Sequence, residues 1–79
     1  LTEPELVAAI AEIVREVLPG VDADPGASLL DAGLDSIGMV TLLNEVESRL
    51  GLSIPAEHVL PENFASVRTI ASLAHRLGG

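Results

Sequence analysis

Asp35 and Ser36 stand side by side at the head of the run SIGMVTLLNEVESRL, whose apolar residues recur at helical spacing. Both are good helix-capping residues, and one helix end needs a single cap. If Asp35 accepts the orphaned backbone N–H, Ser36 falls on the first helical position and its hydroxyl is spare. An anionic group joined to that oxygen, such as a phosphodiester, would lie at the positive end of the helix dipole beside unpaired N–H groups. The other reading makes Ser36 the cap, which is how most serines before an apolar helix are used. On these residues alone both stay open. Gly38 lowers helix propensity, and its missing side chain is expected to let a bulky group or an enzyme approach the backbone.

Other chemistries fit less well. The hydrolase nucleophile elbow is G-x-S-x-G on a strand-to-helix turn. Here Gly33-Leu34-Asp35-Ser36-Ile37-Gly38 has one residue too many before the serine, and no strand precedes it. His58 and His75 are the only possible bases, and they lack metal-ligand spacing. Both read as surface or boundary residues. The acidic stretch 19–35 suggests a calcium loop, but a pattern begun at Asp22 puts Ala27 where glycine is required and Gly33 where glutamate is required. No catalytic residue and no metal ligand is assigned.

The elements that position Ser36 can be read from spacing. The 79 residues allow one domain, 1–79, with a modest core. There is no cysteine, and Phe64 is the one aromatic in a chain that is 48% hydrophobic, so aliphatic helix packing must supply stability. Thr2, Pro4 and Glu5 form a capping box for a first helix with Leu6, Ile10, Ile13, Val14 and Val17 on one face, stopped by Pro19 and Gly20. A long connection over 19–35 is expected to be pinned by Leu29, Leu30 and Leu34. The second helix spans Ser36 to Leu50, with Gly51 as its stop and Met39, Leu42, Leu43, Val46 and Leu50 on the core face. IPAEHVLP can hold one or two turns with Val59 and Leu60 inward. Ser66 caps a last helix striped by Val67, Ile70, Leu73 and Leu77. The fold expected is all-α: a small bundle of three main helices plus one short helix.

Twelve acidic residues against four arginines give a formal charge of −8. Such a surface repels phosphate backbones and anionic membranes, so neither nucleic acid nor membrane is an expected partner. Basic protein surfaces are favoured. No uncharged apolar run approaches the ~18 residues of a transmembrane span and no signal peptide is visible, so a cytoplasmic location is expected. Ile37 and Val40 fall off the core face of the second helix, beside Ser36. They either pack under the long loop or form a docking strip with an acidic rim of Asp35, Glu45 and Glu47.

LLDAGLDSIGMVTLLNEVESRLGLSIP resembles the phosphopantetheine-attachment segment of acyl carrier proteins. Asp35-Ser36-Ile37 matches the family's D-S-L-type motif, with isoleucine in place of leucine, and the likeness of helix and loop order covers nearly the whole chain. The resemblance implies that a phosphopantetheinyl transferase joins 4′-phosphopantetheine from coenzyme A to Ser36. The arm's thiol would then hold an acyl or aminoacyl group as a thioester. It implies a non-catalytic, monomeric carrier. Acyl-loading and acyl-processing synthase enzymes with basic docking surfaces would meet it at Asp35, Ile37, Val40, Glu45 and Glu47. Gly33-Leu34-Asp35-Ser36 departs from the glycine-rich approach of peptidyl carriers and leans toward acyl cargo, while VESRLGLSIP and PENFASVRTIASL look like stand-alone carriers, some of which take amino acids, D-alanine included. Polyketide, fatty-acid and aminoacyl pathways remain open, as does a free protein against a synthase domain. A helical adaptor with Ser36 only a cap is the alternative from another class.

Overall fold

The computed structural model describes residues 2–20 and 24–78, which form three α-helices and two single 3₁₀ turns, with no strand among them. Helix α1, Glu3–Val17, begins where the sequence places its capping box. The Thr2 hydroxyl accepts the Glu5 N–H at 3.4 Å, and Glu5 Oε1 accepts the Thr2 N–H at 2.9 Å. Helix α2, Ser36–Leu50, ends at Gly51 with φ 65°, the left-handed geometry that a residue without Cβ adopts at no steric cost. Helix α3, Val67–Arg76, starts on a second capping box in which the Ser66 hydroxyl accepts the Thr69 N–H at 3.2 Å.

Helix α1 packs against both α2 and α3. Its Leu6, Ile10, Ile13 and Val14 meet Leu42 and Val46 of α2 and Val67, Ile70 and Leu73 of α3 in one buried core. Phe64, fully buried at the end of the second 3₁₀ turn, is the largest side chain in it. Each such side chain contributes about 1.5–3 kcal/mol by leaving water, which is how a chain without disulfides holds together.

The long loop is tied to the start of α3 as well as pinned by side chains. The Leu29 N–H donates to the Ala65 carbonyl at 2.7 Å, and the Arg68 N–H, an orphan donor of the first turn of α3, donates to the Pro25 carbonyl at 3.1 Å. Leu29 and Leu34 are buried as expected, but Leu30 is 49% exposed. The backbone between them makes a tight turn, closed by the Leu34 N–H on the Leu29 carbonyl at 2.9 Å. Adjacent leucines in such a turn cannot both face the core. Asp22, first position of the rejected calcium pattern, lies outside the described residues.

Beyond α2 one expectation, a turn or two between Pro55 and Pro61, holds and another is corrected. The single short helix between Pro55 and Pro61 is a 3₁₀ turn, Ala56–His58, and a second 3₁₀ turn, Pro61–Phe64, follows it. Leu60 is expected inward, yet it is 40% exposed. Its backbone is extended, at φ −122° and ψ 146°, so its side chain points opposite to that of Val59, which takes the half-buried place.

Candidate functional site

The start of α2 distributes its two capping candidates. Asp35 is the N-cap: it has extended backbone, and its Oδ1 accepts the Gly38 N–H at 2.7 Å while its carbonyl accepts the Met39 N–H at 2.8 Å. Ser36 occupies the first helical position, exposed, and its hydroxyl makes no hydrogen bond among the described residues. The amides of Ser36 and Ile37 likewise meet no acceptor among the described residues. A nucleophile-sized oxygen, two open N–H groups and the positive end of a 15-residue helix therefore converge at one surface point.

Gly38 plays a part different from the one its sequence suggests. It is buried, facing the protein and not an approaching group. A Cβ there would lie 3.0 Å from Leu34 Cδ1, 3.2 Å from Asp35 Oδ1 and 3.3 Å from Leu18 Cδ2. The missing side chain lets the long loop and the end of α1 close over the first turn of α2. Its effect on Ser36 is indirect: it leaves room for the aspartate cap.

Beside Ser36 opens a mostly apolar cleft of about 260 Å³, lined by Leu30, Leu34, Asp35, Ser36, Met39 and Pro61. Leu30 and Pro61 belong to this site although neither stands out in the sequence for such a role. The one available signal for Leu30 was its pairing with Leu29, since a turn turns one of two neighbours outward.

The residues expected in a docking strip divide into two groups. Ile37 is 78% exposed and Val40 53%, so neither packs under the loop, and both adjoin Ser36 on the solvent side. Glu45 and Glu47 lie nine and eleven residues beyond Ser36, about 14 and 17 Å along the helix axis at 1.5 Å per residue. Glu45 Oε1 is paired with Arg49 at 2.9 Å, and Arg49 reaches across to Glu16 Oε2 of α1 at 2.6 Å. The hydrogen bonds that Arg49 donates hold the Glu16 carboxyl below its ordinary range, and the acceptance of those bonds by Glu16, aided by Glu45, raises the pKa of the guanidinium. Glu47 is half-buried, and its Oε2 accepts the Ile54 N–H at 2.7 Å.

His58 and His75 stay out of the site. His58 is half-exposed with Nε2 3.8 Å from Glu57 Oε1, His75 is exposed, and neither lines the cleft. Among the described residues no group of three histidines or carboxylates is placed to hold a metal ion. No helix among them is long and apolar enough to cross a membrane.

The family model for the phosphopantetheine attachment site matches residues 6–77. Aminoacyl carrier protein 2 of Bradyrhizobium diazoefficiens is 38% identical over 65 residues, covering 77% of this chain and 73% of that protein. Aminoacyl carrier protein 1 of the same organism is 35% identical over 65 residues, covering 82% and 72%. The meromycolate extension acyl carrier protein of Mycobacterium tuberculosis is 32% identical over 76 residues, covering 92% and 62%. Among solved structures, the chain superposes on one in the complex of Bradyrhizobium japonicum glycine:[carrier protein] ligase with its cognate carrier protein and a glycyl adenylate analogue. The TM-score is 0.72 at 31% identity, covering 94% of this chain and 96% of that one.

Proposed function

Because the chain belongs to the phosphopantetheine-attachment family of carrier proteins, we propose that it holds acyl or aminoacyl intermediates as thioesters on an arm joined to Ser36. The family's covalent 4′-phosphopantetheine supplies the thiol that this cysteine-free chain lacks. One observation carries the choice of residue: Asp35 caps α2, so the Ser36 hydroxyl has no structural task and faces solvent.

The residues around Ser36 fit a phosphodiester. When the hydroxyl oxygen displaces the nucleotide part of coenzyme A, one P–O bond forms, one breaks and the hydroxyl proton leaves. The resulting anion sits where the unpaired amides of Ser36 and Ile37 and the helix dipole favour negative charge. Leu30, Leu34, Met39 and Pro61 offer an apolar wall along which the first part of a flexible arm can lie. The carrier itself catalyses nothing. It raises the local concentration of its cargo at whichever enzyme it has docked on.

The docking surface proposed is Ile37 and Val40, with Asp35 beside them and the charge of Glu45 further along α2; Glu47, whose carboxylate is turned to the Ile54 amide, belongs to it by position and not by charge. Such a small apolar centre in an acidic field suits a basic surface on the transferase and on loading or processing enzymes. A second reading, in which the cargo is aminoacyl, is favoured by the 38% and 35% identities to aminoacyl carrier proteins and by the likeness to a structure containing a glycine ligase and its carrier. The 32% identity to an acyl carrier protein supports acyl cargo.

Incubation with coenzyme A and a broad-specificity phosphopantetheinyl transferase, followed by intact mass, tests the site. One phosphopantetheine is expected on the wild type and none on Ser36→Ala. No gain on the wild type, under conditions that load a control carrier, would leave the helical adaptor as the better reading. The thioester recovered from the protein in its native host separates acyl from aminoacyl cargo.

A further inference from the structure

The stretch after α2 is anchored in the core at its two ends, and between them, among the described residues, only the half-buried Val59 packs against it. Ile54 is 6% exposed and Phe64 fully buried. Between these anchors the hydrogen bonds are internal: His58 N–H to Pro55 O at 2.9 Å, Val59 N–H to Ala56 O at 3.1 Å, Leu60 N–H to His58 O at 2.9 Å, Asn63 N–H to Leu60 O at 2.9 Å, and Asn63 Nδ2 to His58 O at 2.8 Å. Among the described residues, a single hydrogen bond joins 53–63 to another element, the Ile54 N–H to Glu47 Oε2 at 2.7 Å. Glu47 also gathers the preceding turn through its backbone, its carbonyl accepting the N–H groups of Gly51 and Leu52. Three successive features of the turn thus close on one residue.

We propose that Glu47 is a positioning residue, whose carboxylate fastens segment 53–63 to the end of α2 and so holds Pro61 in place as the wall of the cleft facing Ser36 and Met39. The functional half of this inference rests on the carrier reading above. The bond is of the stronger, charge-assisted kind, and the donor adjoins a side chain buried in the core. Single 3₁₀ turns have poor internal hydrogen-bond geometry and cannot hold their own place. With the tether cut, Ile54 and Phe64 still anchor the ends by apolar packing, but the segment between them gains freedom to open locally. A carboxylate turned toward a backbone amide also has less to offer a partner than one standing in water. Glu47 thereby acts on docking through the segment it holds.

Glutamine separates the two roles, because its amide oxygen can accept the Ile54 N–H while its charge is gone. In Glu47→Ala, Ile54 amide exchange is expected to quicken about tenfold or more, with Ile10 and Ile70 in the helix core unchanged. Glu47→Gln is expected to keep Ile54 exchange within about threefold of wild type. With the transferase, Glu47→Ala raises the KM for the carrier roughly fivefold at nearly constant kcat, and Glu47→Gln restores it. Unchanged Ile54 exchange in Glu47→Ala would overturn the tether. So would equal loss of transfer in both variants while Glu47→Gln keeps Ile54 protected, since charge and not position would then be at work. Exchange is read on the unmodified protein, so it decides the tether even if Ser36 accepts no arm.

Discussion

Replacing Asp35 tests the division of labour on which the site depends. Its carboxylate makes a short, partly buried bond of 2.7 Å to the Gly38 N–H and stands at the positive end of α2. Loss of an N-cap costs about 0.5–2 kcal/mol, typically ~1. A carboxylate at a helix N-terminus adds about 0.3–1 kcal/mol. Asp35→Ala removes both and is expected to cost about 1.5–2 kcal/mol, the upper half of the capping range because the bond is short and charge-assisted. Asp35→Asn keeps an acceptor oxygen and loses only the charge, for about 0.5 kcal/mol. At roughly 4–8 °C per kcal/mol for a domain of this size, Asp35→Ala lowers Tm by about 6–16 °C and Asp35→Asn by only a few degrees. The chain has no tryptophan or tyrosine, so urea and thermal unfolding are followed by helical circular dichroism. In Asp35→Ala the neighbouring Ser36 can take over the cap, drawing its hydroxyl back onto a backbone N–H, so phosphopantetheine transfer should slow by more than in Asp35→Asn. Equal losses of stability in the two variants, or none in Asp35→Ala, would refute the argument that Asp35 frees the serine.

Gly38→Ala should gain up to ~1 kcal/mol of helix propensity and lose about 1–3 kcal/mol to overpacking, because the added methyl would press on Leu34, Leu18 and the Asp35 cap. The expected result is net destabilisation of about 1 kcal/mol by urea unfolding; a stabilised variant would show that the loop yields freely. Arg49 gives an acid-dependent prediction. Its hydrogen bond depresses the Glu16 carboxyl, so the stability it contributes is present above the ordinary glutamate range and is lost as pH falls through the depressed value. Arg49→Ala should therefore flatten the acid limb of the stability curve, by an amount that shrinks with added salt because both groups are exposed. An acid limb identical to wild type in low salt would remove the pair from the account. Ile37→Ala, at a position 78% exposed, should leave Tm nearly unchanged and raise the transferase KM; an unchanged KM would take Ile37 out of the docking surface.

Much of this arrangement is legible in the order of residues. The capping box at Thr2 and Glu5, the glycine stop at Gly51 and the aspartate–serine pair at 35–36 depend on neighbours within four positions, so local chemistry specifies them. Helical periodicity likewise separates Leu42 and Val46, which are buried, from Ile37 and Val40, which are exposed, because the angular step per residue is constant along a helix. The Asp-Ser-Ile motif pointed to the family for the same local reason, and the match over residues 6–77 agrees with it.

What the tertiary structure decided lies where the chain leaves its helices and where those segments fold back onto them. In the loop and the 3₁₀ region no fixed period tells which leucine turns inward, so Leu30 and Leu60 came out on the surface while Leu29 and Val59 took the inner places. Gly38 could be read from its neighbours as an open approach, yet Leu34 and Leu18, brought from the loop and from α1, make it a close-packed contact. Glu47 reads as one more exposed carboxylate until Ile54, seven residues on, folds its amide back onto it. Local sequence determines which backbone groups need partners and which helix faces are apolar. Only the folded chain, by bringing distant segments within a few ångströms, decides which partner each of them meets.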